Sequence, residues 1–318
     1  MLLGFAALFL AFSNGANDNF KGFATIWGSK TLPYRRALLL ATIATVLGGL
    51  ASVVLAEGLV SQFSGKGLVG DDLAGQPRFA LAVASGAAAT VILATRLGFP
   101  ISTTHALVGG LVGAGVALSE EAINLGNLGS GFVVPLLVSP FMSAGLGLVF
   151  YWLLKRFKRS HPGAKPAETP IARGLHLLSA TSICFARGVN DAPKLAALLV
   201  GTQLLDESLA ALGVTVAMGI GGWLLSRRVA ETMSHKINRL DHAQGTTANL
   251  VTAGLVLGAS RFGLPVSTTH VSVGSIIGTG ASAGTLDLKV VRNVLGSWVL
   301  TLPTSAVIAL GVGLLIQS

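Results

Sequence analysis

The sequence predicts an all-α polytopic membrane protein made of two repeats with inverted topology. Each repeat is expected to contain a broken helix, transmembrane helices and a re-entrant helical hairpin. Three observations predict this fold: an apolar composition, motifs that occur once in each half, and loop charges whose sign reverses between the halves. The repeats are expected at residues 1–154 and 174–318, joined by a basic cytoplasmic linker at residues 155–173.

The composition is that of a membrane protein. Of the 318 residues, 52% are hydrophobic and 11% are charged, so long runs contain no ionisable group. The 41 glycines suit helices that pack closely in lipid. The net charge of +9 comes mostly from Lys and Arg between apolar runs, whereas a nucleic-acid-binding protein clusters them on one face. Cys184 is the single cysteine, which excludes an internal disulfide framework.

Two motifs recur in the same order in both halves. Residues 95–115 match residues 260–280 at 11 of 21 positions and share a Gly-x-Pro-x-Ser-Thr-Thr-His element. Residues 13–22 and residues 185–194 share Gly, Asn, Asp and Lys at the same relative positions. Because both elements keep their order, the chain is interpreted as an internal duplication.

The loop charges predict that the two halves have opposite orientations. Residues 30–36 carry three basic side chains and no acid, whereas the corresponding loop of the second half carries the acids of residues 206–207 and no base. The next loop reverses the sign, with a net charge of −1 over residues 57–78 and +2 over residues 227–241. Since Lys and Arg are retained on the cytoplasmic side, corresponding loops are expected on opposite sides of the membrane.

The predicted path gives three net crossings in each half and places both termini outside the plasma membrane. Each hairpin limb could instead be a full span, because about 18 apolar residues at about 1.5 Å each can cross the bilayer. The first half is expected to contain a broken span at about 1–30, a span at about 37–56, a hairpin at about 79–118 and a span at about 131–154. The second half is expected to repeat these elements at about 174–201, 208–226, 245–283 and 293–316.

Seven charged residues remain inside the predicted membrane segments. A charge at the bilayer centre costs from about 2.5 to more than 10 kcal/mol, so such residues are usually paired and functional. The Asp-x-x-Lys spacing of each half places both charges on one helix face. The pair is either a neutralised ion pair that fixes a helix break, or an aspartate for a coupling cation and a lysine for substrate charge or for replacing that cation. The seven are Asp18, Lys21, Arg96, Arg187, Asp191, Lys194 and Arg261.

Nearby glycines and Pro193 predict an interrupted helix at both Asp-x-x-Lys sites. Non-helical backbone is tolerated at membrane depth where it lines a cavity. Arg187 has no counterpart in the first half and is expected to pair with Asp191, one turn away. Arg96 and Arg261 precede the tip prolines by four residues, and they either reach a bound anion or snorkel to the interface.

Each hairpin tip combines a helix break with three hydroxyl groups. Gly-x-Pro ends the incoming limb, and the hydroxyl residues stand where a new helix would begin. A helix N-terminus offers free backbone N–H groups and a partial positive charge, which favour an anion. A single copy would be interpreted as an N-cap, but two copies about a pseudo-twofold axis predict a site for a tetrahedral oxyanion. The six hydroxyl residues are Ser102, Thr103, Thr104, Ser267, Thr268 and Thr269.

Two histidines lie one turn beyond the tip serines. His105 follows Ser102, and His270 follows Ser267, so a Ser/His hydrolytic dyad is one interpretation. The twofold repetition argues against it, because catalysis rarely needs two equivalent nucleophiles. The histidines are expected to anchor the tips by hydrogen bonds, with proton coupling as the alternative.

In these four motif copies the chain resembles the inorganic phosphate transporter family, the PiT-type permeases. The resemblance implies phosphate uptake by symport with Na⁺ or H⁺, and inorganic phosphate and membrane lipid as partners, with no other cofactor and no enzymatic activity. It further implies a site for the coupling ion and phosphate, with Na⁺ as a candidate ion near the two aspartates. The tip hydroxyls are expected to hold the phosphate. Carried over by position, the site contains Asn17, Asp18, Asn190 and Asp191, the six tip hydroxyls, and Gln244.

The chain departs from the family pattern just after its first Asn-Asp pair. There the commoner pattern continues with small and amide residues, whereas this chain has Asn19, Phe20, Lys21 and Gly22. A fixed ammonium beside Asp18 could take the place of Na⁺, so transport is hypothesised not to depend strictly on Na⁺ and to be proton-driven. A sulfate permease of the same fold, a non-transporting receptor and an intramembrane hydrolase are the alternatives, and a homo-oligomer stays open.

Overall fold

The computed structural model describes residues 1–56, 58–159, 169–237 and 240–317. Every secondary-structure element assigned within these ranges is helical, which confirms the predicted all-α class. Large apolar side chains such as Phe141 and Val299 are exposed, as expected for lipid contact. In the part of the chain that the structure describes, five helical segments are long and apolar enough to cross a membrane: Tyr34–Leu55, Pro77–Leu97, Leu125–Phe157, Glu207–Leu225 and Leu288–Gln317.

The first half contains nine α-helices and one π-helical turn among its described residues. The helices are α1 (Leu2–Asp18), α2 (Ala24–Gly28), α3 (Tyr34–Leu55), α4 (Gly58–Phe63), α5 (Asp71–Ala74), α6 (Pro77–Leu97), α7 (Thr103–Leu118), α8 (Leu125–Asn127) and α9 (Val134–Arg159). The π-helical turn Leu128–Val133 leads into α9.

The second half contains six α-helices and one π-helical turn in the part that the structure describes. The helices are α10 (Pro170–Val200), α11 (Glu207–Leu225), α12 (Arg227–Glu231), α13 (His242–Arg261), α14 (Thr268–Ala283) and α15 (Leu288–Gln317). The π-helical turn Thr232–Lys236 follows α12.

The expected linker is largely helical at both ends. Helix α9 continues to Arg159 and α10 begins at Pro170, so less chain connects them than the prediction of 155–173 allowed. Thr169 caps α10, because its hydroxyl accepts from the backbone N–H of Ala172 at 3.2 Å. Residues 160–168, in the middle of the predicted linker, lie outside the described residues.

The helix break predicted for both halves occurs in the first half alone. Helix α1 ends at Asp18 and α2 begins at Ala24, so the first Asn-Asp element stands at a break. The prediction is wrong for the second half, where α10 continues through Asn190, Asp191 and Pro193.

The residue one place after each lysine explains this difference. In the first half it is Gly22, where a Cβ atom would come within 2.7 Å of the backbone oxygen of Ala180 on α10. Glycine permits this close contact but weakens a helix. In the second half the place is taken by Leu195, the first of a run of good helix formers, so the helix continues after Pro193.

Each hairpin consists of two helices joined by a short turn with a left-handed glycine. Gly98 ends α6 at φ +79°, and Gly263 follows α13 at φ +67°. Only glycine adopts this conformation without steric cost, so both hairpins can turn sharply before the tip prolines. Ser102 and Ser267 are then the N-caps of α7 and α14, as the sequence predicts.

Equivalent helices of the two halves pack against the opposite half. Helix α15 packs against α7 of the first hairpin, and α9 packs against α14 of the second. Likewise α1 packs against α11, and α10 packs against α3. The contact between α1 and α11 depends on Gly15, because a Cβ there would lie 1.9 Å from the backbone oxygen of Met218. The contact between α10 and α3 depends on Gly188, where a Cβ would lie 2.2 Å from the backbone oxygen of Thr45.

Candidate functional site

Among the described residues, the fully buried Asp, Glu, Lys and Arg side chains form one group beside the hairpin tips. Each of these residues is at most 3% exposed. With all of them ionised, three cations and two carboxylates give the group a net charge of +1. The members of this buried charge cluster are Asp18, Lys21, Arg187, Asp191 and Lys194.

Lys21 binds both hairpin tips as well as its own aspartate. Its ammonium is in direct contact with Asp18 Oδ1 and with the hydroxyl of Thr269 from the second tip. It also donates to the backbone oxygen of Ile101 in the first tip at 3.2 Å. Because all three partners are oxygen atoms, the ammonium is held at the junction of the break and the two tips.

Lys194 makes the equivalent set of contacts from the second half. Its ammonium donates to the backbone oxygen of Val266 at 2.6 Å and to the hydroxyl of Thr104 at 3.1 Å. It lies 4.0 Å from Asp191 Oδ1. Each lysine therefore binds a carbonyl of the tip in its own half and a threonine of the tip in the other half.

Arg187 connects the second half of the cluster to the first. Its Nη2 donates to Asn14 Oδ1 at 2.7 Å, and its Nη1 donates to the hydroxyl of Thr45 at 3.2 Å. Its Nε lies 3.4 Å from Asp191 Oδ2, which is the ion pair expected from the spacing. Asn14 donates in turn to Asp191 Oδ2 at 3.2 Å and to the hydroxyl of Thr103 at 3.0 Å. The carboxylate of Asp191 therefore forms ion pairs with both Arg187 and Lys194.

Asn17 fixes the backbone of the first hairpin tip. Its amide accepts from the Ile101 N–H at 3.1 Å and donates to the Phe99 oxygen at 3.0 Å and to the hydroxyl of Thr95 at 2.9 Å. These bonds satisfy backbone groups in the turn between α6 and α7, which has no helical partner for them.

Asn190 has the same task at the second tip. It accepts from the hydroxyl of Ser260 at 3.1 Å and donates to the Val266 oxygen at 3.4 Å. It also donates to Asp191 Oδ1 at 3.0 Å. The amide oxygens of both asparagines are therefore engaged by donors of the hairpins.

The hairpin tips touch each other through reciprocal contacts. Thr269 donates to the Ile101 oxygen at 2.7 Å, and Thr104 donates to the Val266 oxygen at 3.3 Å. These residues occupy matched positions of the repeated motif. The N-termini of α7 and α14 consequently lie together, next to the buried charge cluster.

The tip serines cap the helices that they begin. The Ser102 hydroxyl accepts from the backbone N–H of His105 at 3.0 Å, and Ser267 accepts from that of His270 at 3.2 Å. The ring of His105 also lies 3.0 Å from the Ser102 hydroxyl, through Nδ1. The capping bonds use the serine oxygens as acceptors and so do not engage the hydroxyl protons.

Hydrogen bonding anchors one of the two histidines. His105 is bonded to its serine, as expected, but both ring nitrogens of His270 are buried without a hydrogen-bond partner among the described residues. Its ring stacks instead on Trp298 of α15, at 3.8 Å between centroids. Trp298 donates to the backbone oxygen of Pro100 at 3.1 Å, which connects α15 to the first tip.

Three predicted residues are not brought to the tips. Gln244 belongs to the N-terminal capping box of α13: its side chain accepts from the Asp241 N–H at 2.8 Å, and the Gln244 N–H donates to the Asp241 carboxylate at 2.7 Å. It lies about 24 Å along the helix from Ser260. Arg96 and Arg261 are exposed at the ends of α6 and α13, outside the buried charge cluster.

Sequence reasoning missed several residues around the site. The repeat alignment already contained one signal, because Thr95 and Ser260 are hydroxyl residues at matched positions and each bonds the asparagine of its half. Asn14 is visible only as the counterpart of Arg187. Trp298 lies in an apolar run with no motif around it, so nothing in the sequence identifies its contact with Pro100.

Comparison with known proteins identifies the family. A family model described as the phosphate transporter family matches residues 14–309. The chain belongs to the phosphate transporter family. This confirms the resemblance found in the four motif copies, and it makes the protein a member of a family of transporters rather than enzymes. The hydrolase alternative is therefore set aside.

Relatives of this phosphate transporter family member match over nearly its whole length. A probable low-affinity inorganic phosphate transporter of Rhizobium meliloti is 30% identical over 336 residues, which cover 95% of this chain and 92% of the relative. A protein of the same description from Bacillus subtilis is 28% identical, with 96% and 93% covered. A solved structure described as the sodium-dependent phosphate transporter has a TM-score of 0.86 at 24% identity, with 99% and 98% covered, and thus shares the fold.

Proposed function

We propose that this protein is a secondary active transporter that takes up inorganic phosphate across the plasma membrane by symport with Na⁺ or H⁺. One observation carries the proposal. The N-termini of α7 and α14 meet beside a buried charge cluster with a formal net charge of +1, and the six hydroxyl residues of the tips are all buried there. Helix N-termini, hydroxyls and ammonium groups are the donors that a tetrahedral oxyanion needs.

The proposed binding residues are the tip hydroxyls and the charges next to them. Thr103 and Thr268 begin α7 and α14, so their backbone N–H groups belong to the unsatisfied first turn of each helix. Lys21 and Lys194 supply positive charge, while Asp18 and Asp191 hold the lysines in place. Asn17 and Asn190 position the tips through hydrogen bonds to the tip backbone.

We also propose that residues 1–154 and 174–318 are inverted repeats whose hairpins enter the membrane and return. The reciprocal contacts support this arrangement: Thr269 with Ile101, and Thr104 with Val266, pair as expected across a twofold axis. The loop charges support a topology with both termini outside. In a transporter of this plan, the site lies at the bilayer midplane between the repeats.

Sulfate is the second candidate substrate, and the pairing of the aspartates favours keeping it. Phosphate at neutral pH can donate a proton to a carboxylate, whereas sulfate cannot. Asp18 is already in contact with Lys21, and Asp191 is engaged by Arg187 and two amides. Carboxylates that are occupied in this way discriminate less between the two anions.

Radiolabelled phosphate uptake into proteoliposomes tests the proposal. Uptake should be reduced by unlabelled phosphate and much less by sulfate, with Na⁺ and pH gradients imposed separately. The double variant Thr103→Val and Thr268→Val should lower uptake by about tenfold or more, since charge-assisted hydrogen bonds to an anion are lost.

The matched control for that double variant is Thr181→Val. The Thr181 hydroxyl donates to the Leu177 oxygen within α10, away from the tips, at 2.9 Å. Stronger competition by sulfate than by unlabelled phosphate would instead assign sulfate as the preferred substrate. Uptake that is equal in all variants would remove the tips from the site.

A further inference from the structure

The surroundings of the two aspartates do not fit a dissociable Na⁺. Hard cations in proteins are bound by carboxylate, carbonyl and hydroxyl oxygens. Around Asp18 these oxygens are its own carboxylate, the Ile101 carbonyl and the Thr269 hydroxyl, and the ammonium of Lys21 contacts all three. A Na⁺ placed there would need the same ligands and would stand next to a fixed positive charge.

The second half repeats this arrangement with its own ammonium. The carboxylate of Asp191, the Val266 carbonyl and the Thr104 hydroxyl form the oxygen set, and Lys194 lies 4.0, 2.6 and 3.1 Å from them. Arg187 lies within 3.4 Å of the same carboxylate and adds a second cation. In both halves, the oxygen atoms that could bind Na⁺ are therefore already occupied by a lysine ammonium of the protein.

Neither lysine can leave its oxygens without a large penalty. The two side chains are each 2% exposed, so they have no access to water that could replace these partners. Both are also attached to the segment that carries their aspartate, three residues away. Both amino groups consequently stay at the tips whatever the Na⁺ concentration.

We propose that Lys21 and Lys194 act as tethered cations in the place of dissociable Na⁺, so that this protein binds its oxyanion independently of Na⁺. The inference rests on the proposed function, since it concerns the anion bound between the same tips. Each ammonium neutralises an aspartate and holds one tip by a carbonyl and the other by a threonine. The lysines are thus positioning residues for both tips.

Binding of radiolabelled inorganic phosphate to the purified full-length protein tests this inference. Affinity is measured in NaCl and in choline chloride at equal pH and ionic strength. The two dissociation constants should agree within about twofold, because the linkage between Na⁺ and phosphate is absent. Affinity that falls by about tenfold or more in choline would overturn the inference and leave phosphate binding itself intact.

Lysine variants sharpen the same measurement. Lys21→Asn and Lys194→Asn remove one tethered cation each and leave an amide oxygen, so phosphate affinity in choline should fall by about tenfold and Na⁺ should restore it. A merely structural lysine would give a loss that Na⁺ does not restore, which would contradict the assigned role. Lys289→Asn, at an exposed position of α15, is the matched control and should behave as the unmodified protein.

The proposed function and this inference fail in different ways. Phosphate and sulfate that bind in neither salt would overturn the proposed function, and the inference would fall with it. Binding of either anion that requires Na⁺ would overturn the inference alone. The comparison of the two salts in the unmodified protein needs no variant, so misfolding of a lysine variant cannot leave the question open.

Discussion

The two Asn-Asp segments have the same residues at their key positions but different local structures. In the first half, Asp18 ends α1 and Lys21 lies in the break before α2. In the second half, Asp191 and Lys194 lie inside the continuous helix α10. Yet both ammonium groups bind a carbonyl of one tip and a threonine of the other.

The comparison shows that the contacts of the lysines, and not the shape of the backbone, are what the two halves share. The difference lies in the partners of the carboxylates. Asp18 pairs with Lys21 alone among the described ion pairs, whereas Asp191 pairs with both Arg187 and Lys194. Asn14 takes the place of Arg187 in the first half, so only the second half carries the additional charge.

The largest expected effect is on stability when a carboxylate loses its charge. Asp191→Asn leaves two buried cations without their partner and should lower the free energy of unfolding by about 3–5 kcal/mol. Asp18→Asn leaves one and should cost less. Thermal unfolding in detergent measures both.

The exposed pair Arg227 and Glu231 provides the control for the carboxylate variants. Glu231→Gln should cost less than about 1 kcal/mol, since both side chains of that pair are solvent-accessible. A larger loss for Asp18→Asn than for Asp191→Asn would show that the number of cations at a carboxylate does not determine its contribution.

The next effect concerns the glycines that let the segments approach their neighbours. Gly15→Ala and Gly188→Ala should each destabilise the protein by about 1–3 kcal/mol, because the added Cβ would meet a backbone oxygen of α11 or α3. Gly258→Ala on α13 is the control, since nothing lies within 4 Å of a Cβ there. Equal midpoints of thermal unfolding for all three variants would contradict the close packing of both segments.

A smaller effect is expected from making the second half resemble the first. Arg187→Asn introduces the residue found at position 14 and reduces the net charge of the buried charge cluster from +1 to zero. Phosphate affinity should fall by about tenfold, measured by equilibrium binding of radiolabelled phosphate. Arg261→Asn, at an exposed position, should leave the affinity unchanged. Unaltered affinity in Arg187→Asn would mean that the additional charge serves the fold only.

The smallest effect separates the two tip serines. Ser102→Ala and Ser267→Ala each remove an N-cap, at a cost of about 1 kcal/mol. Ser102→Ala should cost slightly more, because its hydroxyl also contacts the ring of His105. Ser182→Ala, whose hydroxyl donates within its own helix, is the control for thermal unfolding. Equal losses for Ser102 and Ser267 would show that the histidine contact contributes nothing.

The sequence predicted those features that depend on short spacings or on repetition. The helix starts at Thr103 and Thr268 follow from a hydroxyl N-cap after Gly-x-Pro, and the structure has both. The pairing of Arg187 with Asp191 follows from their spacing of one turn. The family follows from four motif copies in order, and the match over residues 14–309 confirms it.

Other features could not be predicted because they depend on distant parts of the chain. The proline in α10 suggests a break, but Leu195 and its neighbours continue the helix where Gly22 does not. Gln244 matches a family position, yet in this fold it completes the cap of its own helix. The contact of Trp298 with Pro100 joins residues almost 200 positions apart, and no local pattern reports it.

The packing of late helices of the chain against early ones has a consequence for how the protein is made. Helix α7 packs against α15, and the Trp298 indole of α15 holds the carbonyl of Pro100. During synthesis the first hairpin leaves the ribosome roughly 170 residues before the helix that covers it, a delay of about 10 to 30 s at common elongation rates. Until α15 is inserted, the exposed flank of that hairpin must be shielded by lipid or by the insertion machinery. The first hairpin tip therefore reaches its final packing late in biogenesis.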